Sequence, residues 1–432
     1  MRGSSPSSST SCGGAAGTSA WSPSARPAAS ASPWWSRGSK TSATPLSGRL
    51  VVDLSRLLPG PLTAHLLADL GARVVKVEEP KLGDPVRQAP PLRGGTGALA
   101  AILLAGAESI ALDLKQPGPR AVLERLLERA DVLVESFRPG GLARFGLAPE
   151  ELRVRHPRLV ICSVSGWGQD GPYAGRAGHD LTYQALAGTL APTAAMPSAP
   201  MADFVGAWSA AAAILAALLE RERTGQGAWI DAALFDAAVH TNLTAWAADE
   251  EGKRKSVGEP LPLTGALPCY NLYRTAEGET LALAALEPHF WSRFCEAAGR
   301  KGLIRKQYSS SRRVHREVAA LIRGRTRAEW TDLLARHDIP AEMVLSAAEA
   351  RRHPQMEERG LLGAGPDGLP RLGFPARLDG QRPRSAARVP GLGEHTRAIL
   401  EELGIREYEE SAGVGRRFSW KRLLLRWLGR AQ

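Results

Sequence analysis

Cysteine is scarce and scattered in this chain of 432 residues: Cys12, Cys162, Cys269 and Cys295 stand far apart, with no C-x-x-C pair. That spacing argues against a disulfide framework, and without histidines at ligand spacing it gives no zinc site, so no metal is expected. A reducing, cytoplasmic compartment suits such thiols. Long apolar runs are missing too. None approaches the roughly 18 residues of a membrane span, and with 44% hydrophobic residues the chain is expected to be soluble and to bury a large core. No G-x-S-x-G elbow, Walker loop or H-E-x-x-H pattern occurs. The usual serine-hydrolase, P-loop and zinc-protease chemistries therefore lack their parts.

Acidic residues are absent from both ends, which explains the formal net charge of +11. Residues 1–47 carry Arg2, Arg26, Arg37 and Lys40; residues 411–432 carry Arg416, Arg417, Lys421, Arg422, Arg426 and Arg430. Removing these ten from the 55 basic residues leaves 45 against 44 acids. The body has no global field for nucleic acid, and no nucleic-acid partner is expected. The Ser/Ala/Gly/Pro-rich leader 1–47 lacks an apolar h-region and reads as disordered, or as a start placed too far upstream; a transit peptide would need amphipathic spacing that it lacks. In the basic tail 411–432, Trp420, Leu423, Leu424 and Trp427 interleave with cations, the pattern of an amphipathic helix, yet dimer packing or a frayed end is expected there in place of membrane contact.

Between these ends, short apolar runs alternate with helical patterns. Leu50–Leu54 is followed by Pro59-Gly60-Pro61 as a turn, a helix around Leu62–Leu70 and a strand at Arg73–Val77. Ser109–Leu114, a Pro117-Gly118-Pro119 turn, a helix over Ala121–Arg129 and a strand at Asp131–Glu135 repeat the unit, and Arg158–Ser163 adds another strand. The alternation predicts an α/β fold with a mostly parallel sheet covered on both faces. An apolar helix over Ser209–Arg223 leads to a strand at Ala228–Ala232. A hairpin, Tyr270–Arg274 with Thr280–Ala284, and helices near 289–299, 313–322 and 327–336 form a smaller α+β domain. The expected division is a large domain over 48–248, a linker at 249–261, a small domain at 262–360 and a return to the large domain at 361–410.

Gly166-Trp167-Gly168-Gln169-Asp170-Gly171 matches G-x-G-x-x-G after a strand, but Pro172 follows and no periodic helix opens there, so neither nicotinamide nor flavin binding is expected. Other candidates are polar residues in small, apolar surroundings: His179-Asp180 after Ala177-Gly178, Asp203 at the entry of the long apolar helix, and Glu287 ending the run Leu281–Leu286. Each also has a plainer reading. Asp203 and Glu287 sit where helix-start acids cap orphan amides, and His179 suits a turn.

A resemblance adds to this. Pro59-Gly60-Pro61, Leu67-Ala68-Asp69-Leu70-Gly71-Ala72, Val75-Lys76-Val77-Glu78, Leu112-Asp113-Leu114-Lys115, Phe137-Arg138-Pro139-Gly140, Ser165-Gly166-Trp167-Gly168, Ala177-Gly178-His179-Asp180, Arg223-Thr224-Gly225-Gln226-Gly227, Leu286-Glu287-Pro288 and Gly393-Glu394-His395-Thr396 resemble, in order, the family III CoA-transferases, which include the 2-methylacyl-CoA racemases. The resemblance implies a Rossmann-like large domain, an inserted small domain and an interlocked homodimer, with acyl-CoA as substrate and a free carboxylic acid as possible second substrate. In the racemase pattern Asp203 and His179 are the acid/base pair and Glu287 orients the imidazole. In the transferase pattern Asp203 is the nucleophile, passing through an aspartyl-CoA intermediate, with Asp180 as accessory acid. Lys76, Lys115, Arg138, Arg144 and Tyr183 are the residues this places against CoA. One stretch departs from the pattern. Leu104–Ser109 stands where members carry basic residues that hold CoA, and its Glu108 adds an acid, which leaves an inactive acyl-CoA binder as a third reading.

Overall fold

The computed structural model describes residues 44–248, 257–383 and 387–405. The leader up to 43, most of the linker and the basic tail with its amphipathic pattern lie outside these residues.

Six strands form a parallel sheet: β1 (Leu50–Asp53), β2 (Arg73–Glu78), β3 (Ala107–Ala111), β4 (Val132–Glu135), β5 (Val160–Ser165) and β6 (Trp229–Ala233). They lie in the order β3-β2-β1-β4-β5-β6, every neighbouring pair parallel. Their side chains alternate between two cores. Val51, Val74, Val132, Val160 and Cys162 enter one core, while Val52, Val75, Leu133 and Ile161 enter the other. A sheet buried on both faces needs apolar residues at successive positions, which is why these strands appear as short continuous runs.

The helices α1 (Pro59–Asp69), α2 (Pro117–Leu127) and α3 (Pro149–Arg155) each begin on a proline. The two Pro-Gly-Pro segments expected as turns are thus first helical turns: proline has the φ of a helix, and its missing N–H is one that no first turn uses. The α4 helix (Asp180–Leu186) and the 24-residue α5 (Met201–Thr224) follow, then α6 (Leu234–Thr241) after β6. By length and composition α5 is long and apolar enough to cross a membrane, which corrects the expectation that no segment is. In the fold it buries Ala202, Gly206, Ala207, Ala210, Ala211, Ile214 and Leu218. It ends at Gly225 in the left-handed region, φ 73°.

The smaller substructure has its own core. β7 (Tyr270–Arg274), β8 (Thr280–Ala284) and β9 (Ala341–Met343) form an antiparallel sheet in the order β9-β8-β7. Helices α7 (Pro288–Ala297), α8 (Arg312–Arg323) and α9 (Arg327–Arg336) pack Trp291, Phe294, Val318, Ile322 and Trp330 around it. The chain then comes back to the large sheet. Ahead of α10 (Thr396–Glu402), the His395 Nδ1 accepts from the Ser109 N–H at 3.1 Å, and the Thr396 Oγ1 accepts from the Ala111 N–H at 3.1 Å. These bonds use the open edge of β3, which would otherwise offer unpaired amides.

The strand order locates the site. Successive connections turn one way from β1 through β3 and the other way from β4 through β6, so the loops leaving the carboxyl ends of β1 and β4 diverge and open a crevice. Helix α5 runs back across the sheet: Arg221 in its last turn donates to Asp131 Oδ1 at 2.6 Å and to the Arg158 carbonyl at 3.1 Å, both just before strands begin. Its first turn, bearing Asp203, therefore lies at the carboxyl edge.

Candidate active site

Leaving β5, the chain passes through Gly166-Trp167-Gly168, and these glycines serve packing. A Cβ on Gly166 would stand 2.2 Å from the Tyr183 hydroxyl, and one on Gly178 would stand 2.5 Å from the Tyr183 ring. Tyr183, on α4, fills that slot and meets Trp167 edge to face at 4.8 Å. Trp167 in turn contacts Tyr173 at 5.1 Å and Phe235 at 5.6 Å. The result is a packed aromatic floor.

On this floor sits the start of α4. His179 is its extended N-cap residue; the His179 N–H donates to Thr182 Oγ1 at 3.0 Å, and that hydroxyl donates back to the His179 carbonyl at 2.7 Å. The cap is thus made by threonine, and the imidazole stands at an exposed position. Asp180, next along, uses both carboxylate oxygens. Oδ2 accepts from Gln184 Nε2 at 2.6 Å, and Oδ1 accepts from the Asp203 N–H at 3.1 Å. Asp180 therefore ties α4 to the first turn of α5 and fixes where Asp203 begins.

Asp203 is not the N-cap of α5, a position taken by Pro200, and its carboxyl accepts no hydrogen bond among the described residues. Burial, and then the Asp180 carboxylate, push it up to about 7. A helix N-terminus favours a carboxylate by at most about 1–2 kcal/mol; here desolvation and a like charge outweigh that. The Tyr183 hydroxyl is likewise raised to about 12, by burial first and then by Asp203 and Asp180, while Arg138 pulls it down. Asp203, Asp180, Tyr183 and Arg138 thus share one electrostatic site at the carboxyl edge, with His179 adjoining it through Asp180.

The sequence model of CoA-transferase family III matches residues 46–396. The chain belongs to that family. It is 36% identical over 376 residues to an alpha-methylacyl-CoA racemase of Homo sapiens, a match covering 84% of this chain and 94% of the relative. It is also 36% identical over 391 residues to a succinate–glutarate CoA-transferase of Agrobacterium fabrum, covering 83% and 96%. Among solved structures, a CAIB/BAIF family protein from Brucella suis superposes with a TM-score of 0.73 at 30% identity, covering 84% of this chain and all of the other. Family III therefore supplies an acyl-CoA-using enzyme of either kind, racemase or transferase, on an α/β fold.

Against the family III pattern, the residues divide. Lys115 and Arg138 lie on loops that leave the carboxyl ends of β3 and β4, and Arg144 lies on the short 3-10 helix Leu142–Phe145 that follows; all three are exposed, and their side chains form no ion pair among the described residues. Lys76 is a correction. It is 1% exposed, its ammonium 2.9 Å from Asp53 Oδ2 and 3.2 Å from Asp84 Oδ2, so it is enclosed by its own counter-ions and meets no ligand. Tyr183, at 5% exposure, is a wall beneath the site and not a surface for CoA. Glu287 is the exposed N-cap residue of α7 in the smaller substructure, and no hydrogen bond, ion pair or ring contact joins it to Asp180, Asp203 or Tyr183 in one chain. The acid at Glu108 does not face the crevice. It is taken up by Arg73, Nε to Oε1 at 2.9 Å and Nη2 to Oε2 at 2.8 Å, at the amino edge of the sheet.

Arg56 escaped sequence reasoning. It is exposed on the loop after β1, and its N–H donates to Ser136 Oγ on the loop after β4 at 3.0 Å. Its signal, an arginine three residues beyond the first strand, acquires meaning only when strand order makes β1 and β4 neighbours. Among the described residues no group of three or more His, Cys, Asp and Glu side chains gathers to hold a metal ion. An open hollow of about 530 Å³ on the smaller substructure, beside Glu277, Arg327 and Asp332, draws on none of the residues above.

Proposed function

We propose that this family III enzyme moves a proton at the α-carbon of a 2-methylacyl-CoA thioester, with Asp203 and His179 as the acid/base pair. The observation that carries this reading is the Asp203 carboxyl held at about 7. A group that both gives and takes a proton works best with its pKa near the working pH. A carboxylate nucleophile must be ionised and gains less from such a lift. In the proposed reaction one group removes the α-proton and the other returns a proton to the opposite face, while donors around the thioester oxygen stabilise the enolate between the two steps.

The reading includes a homodimer. Glu287, which would orient the imidazole of His179, makes no hydrogen bond or ion pair with Asp180 or Asp203 in a single chain, and a second copy would give it a route to the site. Exposed apolar side chains on the large domain support such an interface: Leu219 is 75% exposed, Leu243 63% and Trp246 51%. Arg56, Lys115, Arg138 and Arg144 supply positive charge for the phosphates of CoA. The buried free thiols Cys162, Cys269 and Cys295 suit a cytoplasmic setting.

CoA transfer to a free carboxylic acid is the second reading, favoured by the Asp180–Asp203 contact, which would hold a nucleophilic carboxylate in place. One incubation separates the two. With a 2-methylacyl-CoA in deuterated water, deuterium uptake at the α-carbon without any acceptor acid is the expected result; a new thioester that forms only when a free acid is added, with no exchange, overturns it in favour of transfer.

A further inference from the structure

The loop between β1 and α1 is held in an unfavourable shape by a buried charge cluster that the reaction does not use. Asp53 Oδ1 accepts from the Ser55 N–H at 2.8 Å and from the Ser55 hydroxyl, while its Oδ2 takes the Lys76 ammonium at 2.9 Å. Lys76 also donates to the Ser55 carbonyl. It stands 3.2 Å from Asp84 Oδ2 as an ion pair only, for that oxygen accepts no hydrogen bond. The other oxygen of Asp84 accepts from the Leu57 N–H at 3.1 Å and from the Val86 N–H at 3.0 Å. Side chains from three separate segments thus grip three backbone atoms of residues 55–57.

What they hold is strained. Leu57 has φ 72°, in the left-handed region, which costs a non-glycine residue about 1–3 kcal/mol. Its side chain is 46% exposed, so packing does not offset that cost. Burying Lys76 between two aspartates is itself expensive, and stability alone gives no reason to keep it. The held segment lies on one lip of the crevice, tied through Arg56 to Ser136 on the other. That second lip has a similar brace, since Glu135 Oε2 accepts from the Phe137 N–H at 2.7 Å just before Arg138.

We propose that the Asp53–Lys76–Asp84 cluster is a positioning device: it locks the strained Ser55–Leu57 segment so that Arg56 faces the anionic part of the acyl-CoA and Leu57 its adjoining apolar part. This rests on the acyl-CoA reading above. Its residues act through the loop and not on the reacting atoms. Loss of the brace should therefore weaken substrate binding uniformly, raising KM and leaving kcat nearly unchanged.

The test is calorimetric titration with CoA, with acyl-CoA kinetics alongside, on the full chain. Arg221→Met is the matched control, because Arg221 is also a buried cation, 2% exposed, but is bound to Asp131 at the opposite edge. Lys76→Met is expected to weaken CoA about 10-fold or more through lost preorganisation, whereas Arg221→Met lowers stability and keeps the CoA affinity within about two-fold. Leu57→Gly, which relieves the strain and frees the loop, is expected to fold more stably and to bind CoA about three-fold more weakly. Folded Lys76→Met with wild-type affinity, or equal losses in Lys76→Met and Arg221→Met, overturns the proposal; if Lys76→Met does not fold, wild-type affinity in Leu57→Gly does so. A wild-type protein that neither binds CoA nor turns over any acyl-CoA overturns the acyl-CoA reading itself, and this inference with it.

Discussion

The two edges of the large sheet both carry basic side chains: most of those at the amino edge are paired with acids, while the carboxyl edge pairs Lys76 and Arg87 but leaves four exposed cations unmatched. At the amino edge, Arg49 pairs with Asp131 and Glu222, Arg73 with Glu108 and Glu402, and Arg221 with Asp131. At the carboxyl edge, Arg56, Lys115, Arg138 and Arg144 are exposed and meet no acid among the described residues. The acids there are otherwise engaged: Asp53 and Asp84 hold Lys76, Glu78 holds Arg87, Asp180 is spent on Gln184 and the Asp203 backbone, and Asp203 is lifted to about 7. In a body whose charges nearly cancel, this asymmetry is local. A balanced edge needs nothing more from outside, while an edge with unmatched cations beside a perturbed carboxyl is one that an anionic, acid-sensitive ligand would complete.

The sharpest way to break that contrast is Asp203→Asn. It is expected to lower turnover about 10³-fold or more, as loss of an essential acid/base does. Stability should move the other way. A carboxyl whose folded pKa is raised holds its proton between about 4 and 7 while the unfolded chain has lost it, so wild-type stability falls as pH rises through that window and the cost is complete above it. Relative to wild type, the variant should therefore gain on the order of 2 kcal/mol between pH 4 and pH 8, allowing for water at a partly open site. Denaturant titration at the two pH values measures it. The activity profile carries separate information. Racemisation needs one proton shared between Asp203 and His179, so kcat/KM should fall on both sides of an optimum, whereas transfer needs only ionised Asp203 and would rise through about 7 to a plateau.

His179→Ala comes next in size. Deuterium exchange should drop about 10²-fold or more, and any acceptor-dependent transfer should largely survive; equal loss of both would mean that His179 supports the fold of the site. A smaller effect is expected from Arg138→Glu. Placing an acid at the crevice should raise KM for acyl-CoA about 10-fold and weaken the salt dependence of binding. Wild-type KM in that variant would mean that the unmatched cations serve no ligand.

Much of the scaffold was legible because a doubly covered parallel sheet writes its strands as apolar runs. Arg73–Val77 and Arg158–Ser163 differ from β2 and β5 by no more than two residues at either end, and the hairpin of β7 and β8 agrees in full. Proline misled, because Pro59 and Pro117 open helices as readily as they close turns. Helix α4 was missed: seven residues behind a glycine-rich loop leave too little periodicity to see, yet that helix carries Asp180 and Tyr183. Lys76 was misread for a related reason. The family resemblance offered it as a cation for CoA, but its counter-ions Asp53 and Asp84 come from other segments, and only the folded sheet brings them in. Which motif residues share a site was the part least open to sequence reasoning. Asp203 and Asp180 meet because α5 crosses back over the sheet, while Glu287 stays on another substructure.

The smallest expected effect lies at the balanced edge and is the control for all the rest. Arg73→Met removes the partner of Glu108 and Glu402, both about a third or more exposed, so water and salt already screen these pairs. The cost should be about 1 kcal/mol despite the two bidentate contacts, and it should shrink in high salt as screening replaces the lost cation. KM for acyl-CoA should not change, because Glu108 is freed on the side of the sheet away from the crevice. A clear rise in KM would show that the acid at 108 is felt across the sheet after all, and that the two edges are coupled through β2 and β3 and do not act independently.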